Sequence, residues 1–214
     1  MTTQNLGNPP RSTSTFFATP AIACFAYFVL ALLLLHVLRP DRALTTSFIS
    51  GYALGPYGWV MTTAWLAMSG GCLMLLLGLT RSGPRSGAAR FGTFLFGILT
   101  LSVLLTAIFP PSKNPSISGE IHTITFFVNV TCFLLASVLL SVGFGSDPRW
   151  RAFRRTAAAL ASLLVFALVL QFLMVYLDVL DGLANRFFAT VLIVWLLAIS
   201  IQLRAVARDS AREA

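Results

Sequence analysis

The sequence predicts an all-α fold, a polytopic membrane bundle of six transmembrane helices with both termini in the cytoplasm. Three observations carry this. The 214 residues are 57% hydrophobic and only 10% charged, against roughly 25% charged in ordinary soluble domains. Apolar runs of about 20 residues recur, the length that crosses about 30 Å of hydrocarbon. The basic residues cluster in alternate connections, as the positive-inside rule requires. A bilayer then imposes helices, because lipid-exposed backbone must satisfy its own hydrogen bonds.

The elements follow in order. Residues 1–19 are rich in Ser, Thr and Pro and read as a disordered cytoplasmic tail. The first span, 20–38, exceeds a signal-peptide core and is followed by "HVLRPDR" instead of a small-residue cleavage site, so it reads as retained. Further spans fall at 56–80, 90–109, 120–143, 155–177 and 185–206. They are separated by "RPDR", "RSGPRSG", "FPPSKNPSISG", "GSDPRWR" and "DVLDG", which are turn-forming stretches. Residues 20–206 thus make one six-helix domain, and 207–214 a second cytoplasmic tail. No internal repeat is visible, so the inverted-repeat plan of many transporters lacks support.

Orientation rests on charge. Arg11, Arg81, Arg85, Arg90, Arg149, Arg151, Arg154, Arg155, Arg204, Arg208 and Arg212 fall on one side with Asp147, Asp209 and Glu213. That side carries the whole net charge of +8. Arg39, Arg42, Lys113 and Arg186 fall on the other, balanced by Asp41, Glu120, Asp178 and Asp181. The first side reads as cytoplasmic. Its basic residues read as topology and attraction to anionic membrane lipid, not as nucleic-acid binding. The protein is expected in the plasma membrane.

Polar residues concentrate toward the outer face. His122, Thr125, Asn129 and Cys132 are spaced three, four and three apart, which places them on one helical face. Such a stripe turns toward the bundle interior. Asn129 lies about 10 Å below His122, and Gln171 at about the same depth. Two readings stay open for Thr125, Asn129 and Gln171: hydrogen bonds between helices, or the floor of an outward pocket. Glu120, two residues from His122, points about 200° away; the helix dipole is sufficient reason for a carboxylate there.

Cys24, Cys72 and Cys132 read as small buried hydrophobes. His36 lies at roughly the depth of His122, but two histidines with no third His do not make a zinc site. No metal and no cofactor is expected. Ala67/Gly71, Ser137/Ser141 and Ala157/Ala161 suit close helix contact. Trp59, Trp65, Trp150, Tyr52, Tyr57 and Tyr176 read mostly as interfacial anchors.

Three function classes remain. A binding or accessory protein would hold a lipid or small hydrophobic ligand, with Arg186, Asn129, Thr125, Gln171 and Asp181 as ligand-binding residues. An outer-leaflet hydrolase or transferase would use His122 as general acid/base and Ser50 or water as nucleophile, with Arg186 on an anion. A small transporter is the third, and a redox protein using both histidines a remote fourth. Oligomeric state is not legible.

The loops "RPDRALTTSFISGYALGPYGW", "FPPSKNPSISGEIH" and "DGLANRFF", in this order across six spans, resemble the bacterial and archaeal membrane family catalogued as domain of unknown function 998. The resemblance covers about residues 20–205. Its marks fall on Pro40, Ser50, Phe109–Pro110, Gly119–His122 and Gly182–Arg186. They imply a site at the outer face. Relatives often carry an acid where this chain has Ser112, and Glu where it has Asn185; both departures remove a carboxylate. A topology test follows from the charge reading. A reporter fused after Ala214 should be active only in its cytoplasmic form, and one inserted near position 116 only in its external form. A cytoplasmic position 116 would reverse the orientation.

Overall fold

A computed structural model describes residues 13–212. They form α1 (Thr13–Leu38), α2 (Gly58–Ser82), α3 (Gly87–Ile108), α4 (Ile117–Gly143), α5 (Pro148–Arg151), α6 (Arg154–Leu177) and α7 (Asp181–Arg212). Short 3-10 turns occupy Ile49–Ala53 and Phe144–Ser146, and no strand occurs among the described residues. All the helices except the one-turn α5 are long and apolar enough to cross a membrane.

Each expected span is present, but helix ends follow capping and packing more than hydropathy. Ser86 Oγ accepts the Ala89 N–H and starts α3 at Gly87. Ser116 Oγ accepts the Gly119 N–H and starts α4 at Ile117. Each cap satisfies one of the amides a helix start leaves unpaired. α1 reaches back to Thr13, into the expected disordered tail, because Phe17 and Ala18 continue its buried face and Arg81 lies over the Phe17 ring. The rest of that tail, residues 1–12, lies outside the described residues, as do 213–214. α7 continues past 206 because Leu203, Val206 and Ala207 remain buried and Arg and Ala are good helix formers.

The long helices close into a ring. α1 packs on α2, α2 on α3, α3 on α4, α4 on α6, α6 on α7, and α7 back on α1, with a smaller contact between α2 and α7. First and last spans are therefore neighbours. The connections α1–α2, α3–α4 and α6–α7 gather at one end, the His122 end. At the opposite end Phe144 stacks on Trp150 at 4.7 Å, and Trp150 Nε1–H donates to Ser82 O. Trp150 and Tyr52 are thus buried core residues, not interfacial anchors. Both have found polar partners, which lets an amphipathic ring go inside. Trp59, Tyr57 and Tyr176 are exposed.

Small residues set the helix spacing. At Gly71 a Cβ would stand 2.6 Å from the ring of Phe25, which is fully buried on α1. At the adjacent Gly70 the nearest atom is Cys24 Sγ at 3.8 Å, an ordinary contact. Gly71→Ala should therefore cost about 1–3 kcal/mol by overpacking. Gly70→Ala should be neutral or slightly stabilising, by up to about 1 kcal/mol. Thermal unfolding of the two variants in one detergent checks the contrast; equal effects would refute this packing account.

Candidate functional site

Two arginines fold the segment between α1 and α2. Arg39 is buried at the end of α1. Its Nε and Nη2 donate to both oxygens of Asp41 at 2.8 Å, and its Nη1 donates to Leu54 O and Pro56 O. The end of α1 is thereby tied to the start of α2. The guanidinium holds the Asp41 carboxyl below its ordinary range, since hydrogen bonding to a cation favours the charged form.

Arg186, in the second turn of α7, ties the same segment to the last helix. Its Nη1 donates to Leu44 O, Ser47 O and Gly182 O, and its Nη2 to Tyr52 Oη. Its Nε donates to His36 Nε2 at 2.9 Å. His36 Nδ1 lies 2.6 Å from Leu32 O. A carbonyl only accepts, so the proton sits on Nδ1 and Nε2 takes the arginine N–H. Gly182 makes the approach possible: a Cβ there would meet Ser47 N at 2.6 Å. The Gly182 N–H donates to Thr45 O, and the loop so caps α7.

α3 and α4 carry a second network. His122 Nδ1–H donates to Phe109 O at 3.0 Å, which leaves Nε2 as an acceptor in the neutral ring. Thr125 Oγ1–H donates to His122 O. Thr106 Oγ1 lies 3.0 Å from Thr125 Oγ1 and accepts from Asn129 Nδ2 at 3.0 Å. Ser102 Oγ–H reaches Thr125 O. Bonding between helices is thus what Thr125 and Asn129 do. Asn129 Oδ1 and Gln171 Oε1 are buried without partners.

These networks border a cavity of about 360 Å³, a volume within the range of small-molecule pockets. α1, the 3-10 turn, α2, α3, α4 and α7 contribute its walls, and α6 contributes none. Most of the lining is apolar, from Phe28 and Trp65 to Phe133 and Leu196. Its polar members are Ser50, Thr106, His122, Thr123, Asn129 and Asn185, with Cys72 lower down. None of the lining residues is Lys, Arg, Asp or Glu. α6 stays against the bundle as far as Gln171; from Phe172 to Leu177 only Met174 is partly covered. Over those last turns, about 9 Å, α6 does not complete the wall between α4 and α7. Thr123, on that side, is exposed although it lines the cavity.

The residues singled out from sequence divide. His122, Ser50 and Asn129 line the cavity. Thr125 lies behind it, buried in the α3–α4 network. Gln171 is buried on α6, away from the lining. Arg186 works as the loop latch, and Asp181 Oδ1 accepts the Gly182 N–H. Glu120 is exposed. Among the described residues no three His, Cys, Asp or Glu side chains gather as a metal site, and His36 has its free nitrogen committed to Arg186. Sequence reasoning missed Arg39, Tyr52 and the role of Asn185, whose Oδ1 accepts the Ile49 N–H at 3.0 Å. An arginine abutting Pro-Asp was the available signal for the first.

A family model described as a protein of unknown function, DUF998, matches residues 22–202. The chain belongs to the DUF998 family. No curated protein and no solved structure matches it. In this DUF998 chain the motif pieces have physical roles: Gly182 admits the loop, Arg186 latches it, and Phe109 O orients His122.

The latch is testable. Arg186→Lys keeps the charge but cannot serve His36, Tyr52 and two loop carbonyls from one ammonium. It should cost on the order of 2–4 kcal/mol, read as a lowered unfolding midpoint. Asp41 gives a pH signature. Its folded pKa is lowered, so its contribution is complete above the ordinary carboxylate range, about pH 4. That contribution is lost as pH falls through the lowered value. Asp41→Asn should flatten the acid limb of a melting-temperature profile while leaving its shape above about pH 5 unchanged.

Proposed function

We propose that this is a multi-pass protein of the cell membrane whose His122 end faces outward, and that its cavity binds a lipid or small amphiphile as an accessory protein. The cavity itself carries this reading: apolar walls with polar groups gathered toward the loop end, and no charged lining residue. That arrangement suits a molecule with an apolar chain and a polar head. The side between α4 and α7, which α6 leaves incomplete, supports access from the bilayer. The orientation is supported by the net charge of +8 lying wholly on the opposite side.

A second reading is supported by one observation. Ser50 and His122 line the same cavity, and His122 has its Nδ1–H bonded to a carbonyl, leaving Nε2 available as a base. This is the orientation an imidazole takes when it activates a hydroxyl. In that case the bound amphiphile is a substrate and Ser50 or a water the nucleophile.

Mass spectrometry of lipid retained by the purified protein tests the first reading, with an amphiphile expected at a reproducible stoichiometry. His122→Ala should lower retention by about tenfold or more with the melting temperature largely kept, and Glu120→Gln should leave retention unchanged. Equal losses in both variants, tracking the folded fraction, would make His122 a structural bridge only. For the second reading, Ser50→Ala should abolish turnover of the retained molecule while leaving its binding intact.

A further inference from the structure

The donors and acceptors facing the cavity restrict the head group it can take, an inference that rests on the amphiphile-binding reading. His122 Nε2 is an acceptor, because Nδ1 holds the proton against Phe109 O. Asn185 is oriented with equal clarity. Its Oδ1 accepts the Ile49 N–H, so its Nδ2 supplies the free donors. Ser50 Oγ can do either. All three residues line the cavity.

No cationic side chain at this end lines the cavity. Four of the five Arg39 N–H donors go to Asp41 and two carbonyls. Arg186 is turned to the loop, His36 and Tyr52. Arg42 lies outside the lining, its Nε 3.8 Å from Asp41 Oδ2 and without a hydrogen-bond partner. Lys113 is exposed on the α3–α4 connection, outside the lining. A phosphate or carboxylate brought into the cavity would lose its water and meet no cation among the lining residues, which is costly. A hydroxyl can donate to His122 Nε2, and a carbonyl oxygen can accept from Asn185 Nδ2.

We propose that the cavity selects an uncharged amphiphile whose head group presents a hydroxyl and a carbonyl oxygen, as an acylglycerol or a hydroxy-amide lipid does, and discriminates against anionic head groups. Asn185 is then a specificity-determining residue.

The experiment measures binding of two probes of one chain length to the full protein in one detergent: 1-monooleoylglycerol, and the lysophosphatidic acid with the same oleoyl chain. Native mass spectrometry gives both affinities. The uncharged probe should bind at least about fivefold tighter. A smaller preference, or preference for the phosphate, overturns the inference and leaves the amphiphile-binding reading standing. Binding of neither probe overturns both. Asn185→Asp keeps an oxygen for the Ile49 N–H and removes the donors. It should weaken the uncharged probe by about fivefold or more at an unchanged melting temperature. Unweakened binding in that variant also overturns the inference. Should the variant not fold, the two-probe comparison on the unmodified chain decides alone.

Discussion

The Arg186 guanidinium is the interaction on which the His122 end depends. Five hydrogen bonds leave it: one to α1 through His36, three to the segment between α1 and α2, and one to its own helix. Bonds to a charged group are worth about 1.5–3 kcal/mol each, and unpaired backbone carbonyls near a membrane interior are costly. The arginine therefore turns an irregular loop into a rigid wall. With the loop fixed, Ile49 finds Asn185, Ser50 faces the cavity, and Tyr52 is buried against His36 at a ring distance of 5.2 Å.

The cavity is a consequence of the ring of helices. Both α4 and α7 contribute to its walls, with α6 between them in the ring but absent from the lining. The aromatic floor, Phe133 against Trp195 at 5.2 Å, fills the ring below it. Above, His122 is held by its ring at the Phe109 carbonyl and by its own carbonyl at the Thr125 hydroxyl. The imidazole thus has a defined tautomer, and an adjacent indole, Trp65, at 5.4 Å.

The spans were legible because bilayer thickness fixes their length and helical spacing fixes their faces. The stripe His122, Thr125, Asn129 followed from three- and four-residue spacing, and its inward direction from the cost of polar groups in lipid. Arg186 was legible as important but not in its role. Charge alone does not distinguish a cation that awaits an anion from one saturated by loop carbonyls. Those carbonyls belong to residues more than a hundred positions earlier. Tyr52 and Trp150 were misplaced for a related reason: an amphipathic ring near a helix end suits an interface or a buried hydrogen bond, and only the partner decides. Ser137 and Ser141 are buried, yet their hydroxyls return to their own helix, at Leu134 O and Ser137 O.

The bond from Arg186 to His36 spans 150 positions and joins the last membrane helix to the first. A ribosome adding about 5–20 residues per second needs roughly 8–30 s to travel that distance. Until α7 is made, the face of α1 that it covers has no partner, and the cavity lacks one of its walls. Biogenesis of this protein is therefore a late-closing process. Nascent chains stopped before α7 present an open five-span curve whose His36 and loop carbonyls must find lipid, water or a membrane chaperone as temporary partners.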